Sequence, residues 1–397
     1  MSDELTRVLL LHNYYQQPGG EDQVFTAESA LLEEHGHQVL RYSLHNDAVN
    51  GMSRLALARA TIWNRTVYQK VRSLIREERP QVAHFYNTFP LVSPAAYYAA
   101  RAEGVPVVQT VQNYRMLCTN AFLMREGRVC EDCLGKTLPW PGVAHACYRE
   151  SRPASGAVAT MLATHSALGT WTRAVDVYIA LTEFVRQKIG QGRVPVDKIV
   201  VKPNFIRSDP GVGKGQGDYV LFVGRLSDEK GVETMLAAWE QLGAEVRLKI
   251  AGDGPLAPRV SRAAKRFERI EWLGRQPRDR IFELMKNARA LLFPSVWYEA
   301  FPLVIVEAFA VGLPVIASDL GSMSSLIDHG RTGLHFRPGN PRDLAARLEW
   351  IYAHPVELKR MGGNARAEFE AKYTARRNYQ LLVEIYRAAA QRADVQR

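Results

Sequence analysis

The chain has no hydrophobic run long enough to cross a membrane. None of its 397 residues belongs to an apolar stretch that approaches the ~20 residues of a bilayer-spanning helix. The first six residues are mostly polar, and the apolar run Leu9–Leu11 is too short for the hydrophobic segment of a secretory signal. We therefore expect a cytoplasmic protein.

Acidic residues are too few to balance the basic ones. The chain carries 51 Lys and Arg against 41 Asp and Glu, a formal net charge of +10. Such an excess suits nucleic acid, an anionic membrane or a phosphorylated substrate. We find no nucleic-acid-binding module and expect no nucleic-acid partner. The basic cluster between Arg259 and Arg269 is interpreted as a solvated helix face, with peripheral contact to the inner face of an anionic membrane as the alternative.

Cysteine is scarce, and its distribution is informative. All four cysteines fall in one segment, residues 115–149, and two of them form a C-x2-C pair. In a cytoplasmic protein this favours a tetrahedral thiolate zinc site over disulfides, and a metal would order a segment that lacks an obvious core. The alternatives are four buried free thiols or a site with His145 as an alternative ligand; redox chemistry of the C-x2-C pair is less favoured, because no thioredoxin-like context surrounds it. The predicted structural zinc ligands are Cys118, Cys130, Cys133 and Cys147.

Apolar runs that alternate between strand-like and helix-like patterns are abundant. This alternation is typical of βαβ units with parallel sheets, and the length suggests two or three domains. The predicted strands of the first half are Arg7–His12, Gln38–Ser43, Gln81–Tyr86, Val105–Val111, Val175–Leu181 and Lys198–Val201. Those of the second half are Tyr219–Val223, Val246–Ala251, Ile270–Leu273, Ala290–Phe293, Val315–Ala317 and Gly333–Phe336.

A glycine- and charge-rich stretch between Asn204 and Asp218 separates the two halves, and no apolar period survives in it. We predict an α/β fold with two Rossmann-like domains, at 1–205 and 218–375, joined by a linker at 206–217. Their parallel sheets would face a central cleft, because ligands bind at the carboxyl ends of the strands in such folds. The pattern G-x-G-x-x-G is absent, which argues against a dinucleotide-dependent oxidoreductase.

Two carboxylates mark the second half. Glu299 lies in the loop after a strand-like run, and Glu307 lies inside a helix-like run that is otherwise apolar. A carboxylate on a buried helix costs several kcal/mol, roughly, unless something hydrogen-bonds it. Sugar hydroxyls are suitable partners, because a carboxylate accepts where each hydroxyl donates.

Two cations precede these carboxylates. Gly224 and Arg225 follow the strand-like run at 219–223, and Lys230 opens the next helix. Fixed cations near a helix start suit a diphosphate, since backbone N–H groups there also favour an anion. Glycine lets the backbone approach a ligand closely, so Gly252 and Gly20 are further candidates. The alternative is that Arg225 and Lys230 are ordinary surface cations.

Glu299-x7-Glu307, followed by GLPVIAS (Gly312–Ser318), resembles the donor-site signature of retaining glycosyltransferases of family 4 (group 1 type), which have the glycosyltransferase B fold. The resemblance extends through VGRLSDEKGVETMLAAW (Val223–Trp239), IAGDGP (Ile250–Pro255) and NYYQQPGGEDQVF (Asn13–Phe25). In that fold the last helix crosses back to the first domain, which implies this position for residues 376–397.

The resemblance also implies roles for individual residues. Glu299, Arg225 and Lys230 would be catalytic, with Glu299 on the transferred sugar and both cations on the diphosphate, so that no catalytic metal cofactor is required. Glu307 would bind the ribose. The remaining donor-binding candidates are Gly20, Gly224, Gly252, Phe301, Leu303 and Val304. Pro302 stands where the family often has glycine and offers no backbone N–H.

The chain departs from the family on the acceptor side. Gln112 stands where a histidine is common, and the usual H-x-H-N appears as His84-Phe85-Tyr86-Asn87. Glutamine can hydrogen-bond a hydroxyl but does not titrate near neutral pH. The acceptor-side candidates are His84, Asn87, Gln112 and Asn113.

These features predict a retaining hexosyltransferase that acts on a UDP- or GDP-sugar and a glycan or lipid-linked acceptor, in polysaccharide or cell-envelope glycan synthesis. A sugar-phosphate synthase or phosphorylase-like relative is a second enzyme hypothesis. A third is a catalytically silent subunit of a polysaccharide assembly complex that binds a sugar nucleotide or glycan, which Gln112 and Tyr86 motivate.

Overall fold

The computed structural model describes residues 5–17, 19–214 and 217–395. They form two units. The first comprises the described residues up to Leu123, Cys130–Asn204 and those from Ala375 onward, and the second comprises Met124–Val129 and Phe205–Thr374. Residues 215–216 of the predicted linker, and the chain ends at 1–4 and 396–397, lie outside the described residues.

The described residues form fourteen strands, which are numbered in chain order. They are β1 (Arg7–Tyr14), β2 (Gln38–His45), β3 (Val82–Phe85), β4 (Val107–Val111), β5 (Met124–Arg125), β6 (Arg128–Val129), β7 (Val177–Ala180), β8 (Ile199–Val201), β9 (Tyr219–Val223), β10 (Arg247–Ala251), β11 (Ile270–Gly274), β12 (Ala290–Phe293), β13 (Val315–Ser318) and β14 (Gly333–Phe336). Each of the twelve predicted strands has its counterpart, and only the short pair β5 and β6 was not predicted.

The α-helices lie between these strands and at the end of the chain. They are α1 (Gly20–Glu34), α2 (Arg54–Ile62), α3 (Arg65–Glu78), α4 (Ala95–Ala102), α5 (Trp140–Ala144), α6 (Arg152–Ala167), α7 (Glu183–Gly190), α8 (Val232–Trp239), α9 (Ala257–Arg266), α10 (Arg278–Asn287), α11 (Leu303–Ala310), α12 (Ser322–Leu326), α13 (Pro341–Ala353), α14 (Pro355–Lys372) and α15 (Ala375–Val395). None of the helices described is both long and apolar enough to span a bilayer.

Each unit is built on a six-stranded parallel sheet. The strand order is β2-β1-β3-β4-β7-β8 in the first unit and β11-β10-β9-β12-β13-β14 in the second. The central strands β3, β4 and β12 are buried along their length, as strands covered on both faces must be, and most of their residues are apolar. The prediction of two α/β domains with parallel sheets is confirmed. The loops that follow β9, β10 and β12 meet at one edge of the second sheet.

A buried ion pair fixes three separate segments of the first unit. Lys202 Nζ lies 2.5 Å from Glu28 Oε1, and both side chains are 1% exposed. Tyr86 donates to the other oxygen of the same carboxylate (2.5 Å). Burial by itself would raise the pKa of Glu28, but the Lys202 charge and these hydrogen bonds outweigh it and lower that pKa. The pair therefore connects α1 on one side with the segment just after β8 on the other.

We expect Lys202→Met to lower the free energy of unfolding by about 3–5 kcal/mol, because it leaves the Glu28 charge buried without its counter-ion. Equilibrium urea denaturation measures this change. The double variant Glu28→Leu, Lys202→Met should lose less free energy of unfolding than the single variant, since it leaves no unpaired buried charge. The matched control is Arg186→Met, which removes an exposed partner of Glu183 and should change little. Equal losses in the single and double variants would contradict this account.

Candidate functional site

The loops after β9 and β12 carry the predicted catalytic residues of the second unit. Because β9 and β12 are neighbours in the sheet, their carboxyl ends lie side by side. Lys230 Nζ lies 2.6 Å from Glu299 Oε1. The Glu299 side chain is only 8% exposed and that of Lys230 is 22% exposed. The structure thus brings together two of the three predicted catalytic side chains.

A close approach of two backbones makes this contact. Gly231 has φ +70°, and a Cβ built on it would lie 1.9 Å from the carbonyl oxygen of Pro294. Any other residue would push the two loops apart. The loops are also joined by the backbone N–H of Val296, which donates to the carbonyl of Glu229 (2.9 Å). Glycine at position 231 is therefore a geometric requirement for the neighbouring Lys230 to reach Glu299.

Two more side chains contact the Glu299 carboxylate, and the sequence analysis did not identify them. Ser295 Oγ lies 2.8 Å from Glu299 Oε1, and the indole N–H of Trp297 donates to the same oxygen (2.8 Å). Charge-assisted hydrogen bonds of this kind fix a carboxylate in one orientation. The spacing Ser295-x-Trp297-x-Glu299, with donors at two alternate positions before the acid, is the signal that could have found them.

Glu307 lies on α11, further along the same segment. Its side chain is 16% exposed, and Arg278 Nη2 lies 3.1 Å from its Oε1. Burial raises the pKa of Glu307, and the Arg278 charge opposes that rise. The sequence predicts that the Glu307 carboxylate needs a hydrogen-bonding partner but does not identify it. In the structure this partner is Arg278, from α10.

The start of α11 holds the other donor-binding candidates of this segment. Pro302 precedes the helix, and Leu303 and Val304 form its first turn. The first N–H groups of a helix have no partner within the helix and can donate to a ligand. The side chains of Phe301, Leu303 and Val304 pack on the core beneath the sheet edge, so only their backbone is suited to bind.

Gly224 and Gly252 meet at this edge, and Arg225 follows Gly224 directly. A Cβ on Gly252 would lie 1.8 Å from the carbonyl oxygen of Gly224, so the loops after β9 and β10 touch. Arg225 is exposed and makes no ion pair with any residue that the structure describes. Among the residues that the structure describes, no ion pair therefore holds Arg225 in place as a second cation.

In the first unit, Gly20 is exposed at the start of α1, directly after the N-cap Gly19. The backbone N–H of Gly19 donates to Asp22 Oδ2 (2.8 Å), and the other oxygen of Asp22 lies 2.7 Å from Nε2 of the buried His12. The loop after β1 is thus fixed by its own side chains, and Gly20 stays free of them.

Two of the four acceptor-side candidates, His84 and Asn87, already form hydrogen bonds with other residues of the first unit. His84 is fully buried; its Nδ1 lies 2.8 Å from Tyr386 Oη and its Nε2 lies 2.7 Å from Thr110 Oγ1. Burial lowers the pKa of His84 to about 3, so the ring is neutral. The Asn87 amide donates to the carbonyl of Asn13 and accepts from the N–H of Phe89. His84 joins α15 to the sheet and has no nitrogen left for a ligand.

Gln112 and Asn113, after β4, face a pocket. Gln112 is 9% exposed, and its Nε2 has no hydrogen-bond partner. Asn113 donates to Glu21 Oε1 (2.8 Å), and Tyr15 donates to the other oxygen of that carboxylate (3.0 Å). Burial raises the pKa of Glu21, and these two hydrogen bonds lower it in part. The pocket lies wholly within the first unit, and its walls include Asn87, Gln112, Asn113 and Arg115.

None of the four cysteines forms a disulfide, and Cys118 and Cys133 are buried. Burial raises the pKa of Cys133 to about 12, and Cys118, Cys147 and Cys130 add to that rise. Within the described parts of the chain, no three His, Cys, Asp or Glu side chains are placed to hold a metal ion. The thiols are thus within electrostatic reach of one another without forming a ready metal site, and structural zinc stays a prediction.

Comparison with known families divides the chain at the same place as the fold. Residues 18–204 match the family described as "Glycosyl transferase 4-like domain", and residues 207–368 match "Glycosyl transferases group 1". Among curated proteins, D-rhamnosyltransferase WbpZ of Pseudomonas aeruginosa is 32% identical over 161 residues, 40% of this chain and 42% of that protein. Alpha-D-kanosaminyltransferase of Streptomyces kanamyceticus is 31% identical over 42% of this chain and 45% of that protein. The chain thus spans about half the length, or less, of these relatives.

Solved structures match over the whole chain. The Anabaena protein HepE in complex with UDP has a TM-score of 0.69 at 17% identity and covers 96% of this chain and 99% of its own. The sucrose-phosphate synthase of Thermosynechococcus elongatus has a TM-score of 0.70 at 16% identity and covers 96% of this chain and 98% of its own. The two family matches together take in most of the sequence, and these neighbours share its two-unit architecture. The chain belongs to the group 1 glycosyltransferases of family 4, which have the glycosyltransferase B fold.

Proposed function

We propose that the chain transfers a hexosyl group, with retention of configuration, from a UDP- or GDP-sugar to a glycan or lipid-linked acceptor in polysaccharide or cell-envelope glycan synthesis. The observation that carries this proposal is the contact between Lys230 and Glu299 at the carboxyl edge of the second sheet. It sets a cation for a diphosphate beside an acceptor for sugar hydroxyls. The neighbour HepE was solved with UDP and with UDP-glucose, which supports a nucleotide-sugar donor.

Lys230 would stabilise the departing nucleoside diphosphate. Its ammonium group has three N–H donors, and the hydrogen bond to Glu299 uses one of them, which leaves others for phosphate oxygens. Negative charge grows on the diphosphate as the glycosyl bond breaks, so a fixed cation helps the transition state more than the ground state. Arg225 would move from solvent to contribute a second cation. In this proposal no catalytic metal is required.

Glu299 and Glu307 would recognise hydroxyls at the two ends of the donor. Ser295 and Trp297 would orient Glu299 toward the transferred sugar. Arg278 would favour the ionised form of Glu307 at the ribose, because its charge opposes the rise in the pKa of Glu307 that burial causes. Backbone N–H groups at the start of α11 would complete the diphosphate site. The transition state would be oxocarbenium-like, as in other glycosyl chemistry, and we assign no separate nucleophile.

Two rival functions remain open to the same test. A sugar-phosphate synthase is supported by the neighbour from Thermosynechococcus elongatus and by a relative named alpha-maltose-1-phosphate synthase in Mycolicibacterium smegmatis. A silent binding subunit is supported by Gln112 and Tyr86, which stand where the family often has histidine. The residues at the carboxyl edge of the second sheet would suit the transferase, the synthase and the binding subunit alike.

The first test follows release of UDP or GDP from a panel of sugar nucleotides, with glycan, lipid-linked and sugar-phosphate acceptors. We expect release that depends on an acceptor, and a product whose anomeric configuration by NMR matches that of the donor. Donor binding in calorimetry without turnover on any acceptor would favour the silent subunit, and an inverted product would refute retention.

The second test is Lys230→Met, which keeps the length of the side chain but removes its charge. We expect kcat to fall about 100-fold or more, the usual effect of removing a group that stabilises developing charge. Circular dichroism should show an unchanged fold. The matched control is Lys265→Met, because Lys265 is exposed on α9 and should not affect turnover. Wild-type turnover in Lys230→Met would refute the proposed role.

The third test concerns pH. Because the pKa of Glu307 is raised by burial, this carboxylate gains its proton sooner than usual as the pH falls. The ribose hydroxyls then lose a charged acceptor, so donor affinity should weaken as the pH falls through the raised pKa. Glu307→Gln should bind the donor more weakly at neutral pH and lack this dependence. Calorimetric titration with the donor measures both. The same pH dependence in Glu307→Gln would exclude Glu307 as its origin.

Structural zinc in residues 115–149 is a separate proposal. Its ligands would be the four thiols, although the described residues include no group already placed to hold a metal ion. Native mass spectrometry should show one zinc per chain in the wild type and none in Cys130→Ser, Cys133→Ser. A metal-free protein whose thiols all react with a thiol reagent would remove the proposal. Peripheral contact with the inner face of a membrane likewise stays a prediction.

A further inference from the structure

Arg115 is a half-buried cation without a counter-ion. It lies just after Asn113, and its guanidinium carbon is 4.2 Å from the ring centroid of Phe89 and 5.0 Å from that of Tyr148. One of its N–H groups donates to the backbone carbonyl of Thr119. Among the described residues it forms no ion pair with a carboxylate. Removing a charge from water without pairing it is costly, so this arrangement needs an explanation.

The carboxylate that acts on Arg115 is already engaged. Burial lowers the pKa of Arg115, and the groups that oppose this effect are Tyr148, Tyr15, Cys118 and Glu21, of which only Glu21 is a carboxylate. Glu21 accepts from Asn113 and Tyr15 instead of from the guanidinium. The positive charge of Arg115 is therefore compensated only at a distance.

An independent observation in the same pocket also points to a missing acceptor. The Gln112 side chain is more than nine-tenths buried, and its Nε2 donates to nothing. Its Oε1 accepts only weakly, from Asn204 at 3.5 Å. Gln112 and Arg115 both line the pocket. A buried N–H donor without a partner costs about 1–3 kcal/mol, so an oxygen-bearing ligand would satisfy both groups at once.

We propose that this pocket binds an anionic oxyanion group, phosphate or carboxylate, carried by the acceptor. The inference rests on the proposed glycosyl transfer. Phe89 and Tyr148 flank the guanidinium, and its planar fork matches the paired oxygens of such groups. The Gln112 amide adds a further donor. This site lies in the first unit, whereas the diphosphate of the donor is assigned to Lys230 in the second, so the two anions have separate sites.

The test uses inorganic phosphate as the probe and thermal unfolding as the readout. A ligand that binds only the folded state raises its melting temperature. Phosphate should raise the melting temperature of the wild type and raise that of Arg115→Lys clearly less. It should leave the melting temperatures of Arg115→Gln and Gln112→Leu unchanged. The matched control is Arg149→Gln, because Arg149 contacts the same Tyr148 ring (5.6 Å) but is exposed and outside the pocket. It should respond as the wild type does.

The second arm compares an acceptor that bears a phosphate or carboxylate with its neutral analogue. Arg115→Gln should raise KM for the anionic acceptor about tenfold or more, the loss expected when a charged hydrogen bond is removed. KM for the neutral acceptor and for the donor should stay the same. A phosphate response that persists in Arg115→Gln, or equal KM increases for both acceptors, would overturn the inference. If Arg115→Gln does not fold, Gln112→Leu is used in its place for both the thermal-unfolding measurement and the KM comparison.

The two proposals can fail separately. A wild type that shows the phosphate response but no transfer from any sugar nucleotide would contradict the proposed function and leave an anion site. A wild type that transfers sugar and shows no phosphate response and no preference between the two acceptors would contradict the anion site alone.

Discussion

The contact between Lys230 and Glu299 is the interaction on which the proposed donor site depends. It exists because Gly231 has no side chain and lets its loop touch the backbone of Pro294. The parallel sheet makes the approach useful, since it ends β9 and β12 at the same edge. A cation and a carboxylate held this closely neutralise each other while no ligand is bound. The site is therefore preorganised at low electrostatic cost, which is what a group that acts on developing charge requires.

The first unit manages its buried charges in two different ways. Glu28 and Lys202 compensate each other completely, and Tyr86 adds a hydrogen bond, so this pair serves the fold. Arg115, in contrast, is flanked by rings and lacks a carboxylate in contact. Burial without compensation is tolerated in proteins chiefly where a ligand or a reaction makes use of it. The difference between these two arrangements is what separates a structural pair from a binding group.

The sequence predicts the sheets well because most of their strands are short, mainly apolar runs bounded by loops, and this signal is local. It also places Glu299 and Glu307 in the right elements. What it misses are partners from other segments: Arg278 comes from α10, a different element from the one that bears Glu307. His84 was misleading for the same reason, since Tyr386, about three hundred positions later, occupies one of its nitrogens. The pairing of residues so far apart in the chain leaves no local periodicity to detect.

The replacement of histidine by Gln112 makes physical sense once Arg115 is considered. A histidine there would gain a positive charge on mild acidification, only three positions from a guanidinium that already lacks a contacting counter-ion. Like charges in a low-dielectric pocket repel strongly. Glutamine supplies an N–H donor that stays neutral at every pH. The pocket can therefore present donors from both residues without adding to its uncompensated charge, so glutamine is a suitable residue beside the proposed anion-binding Arg115.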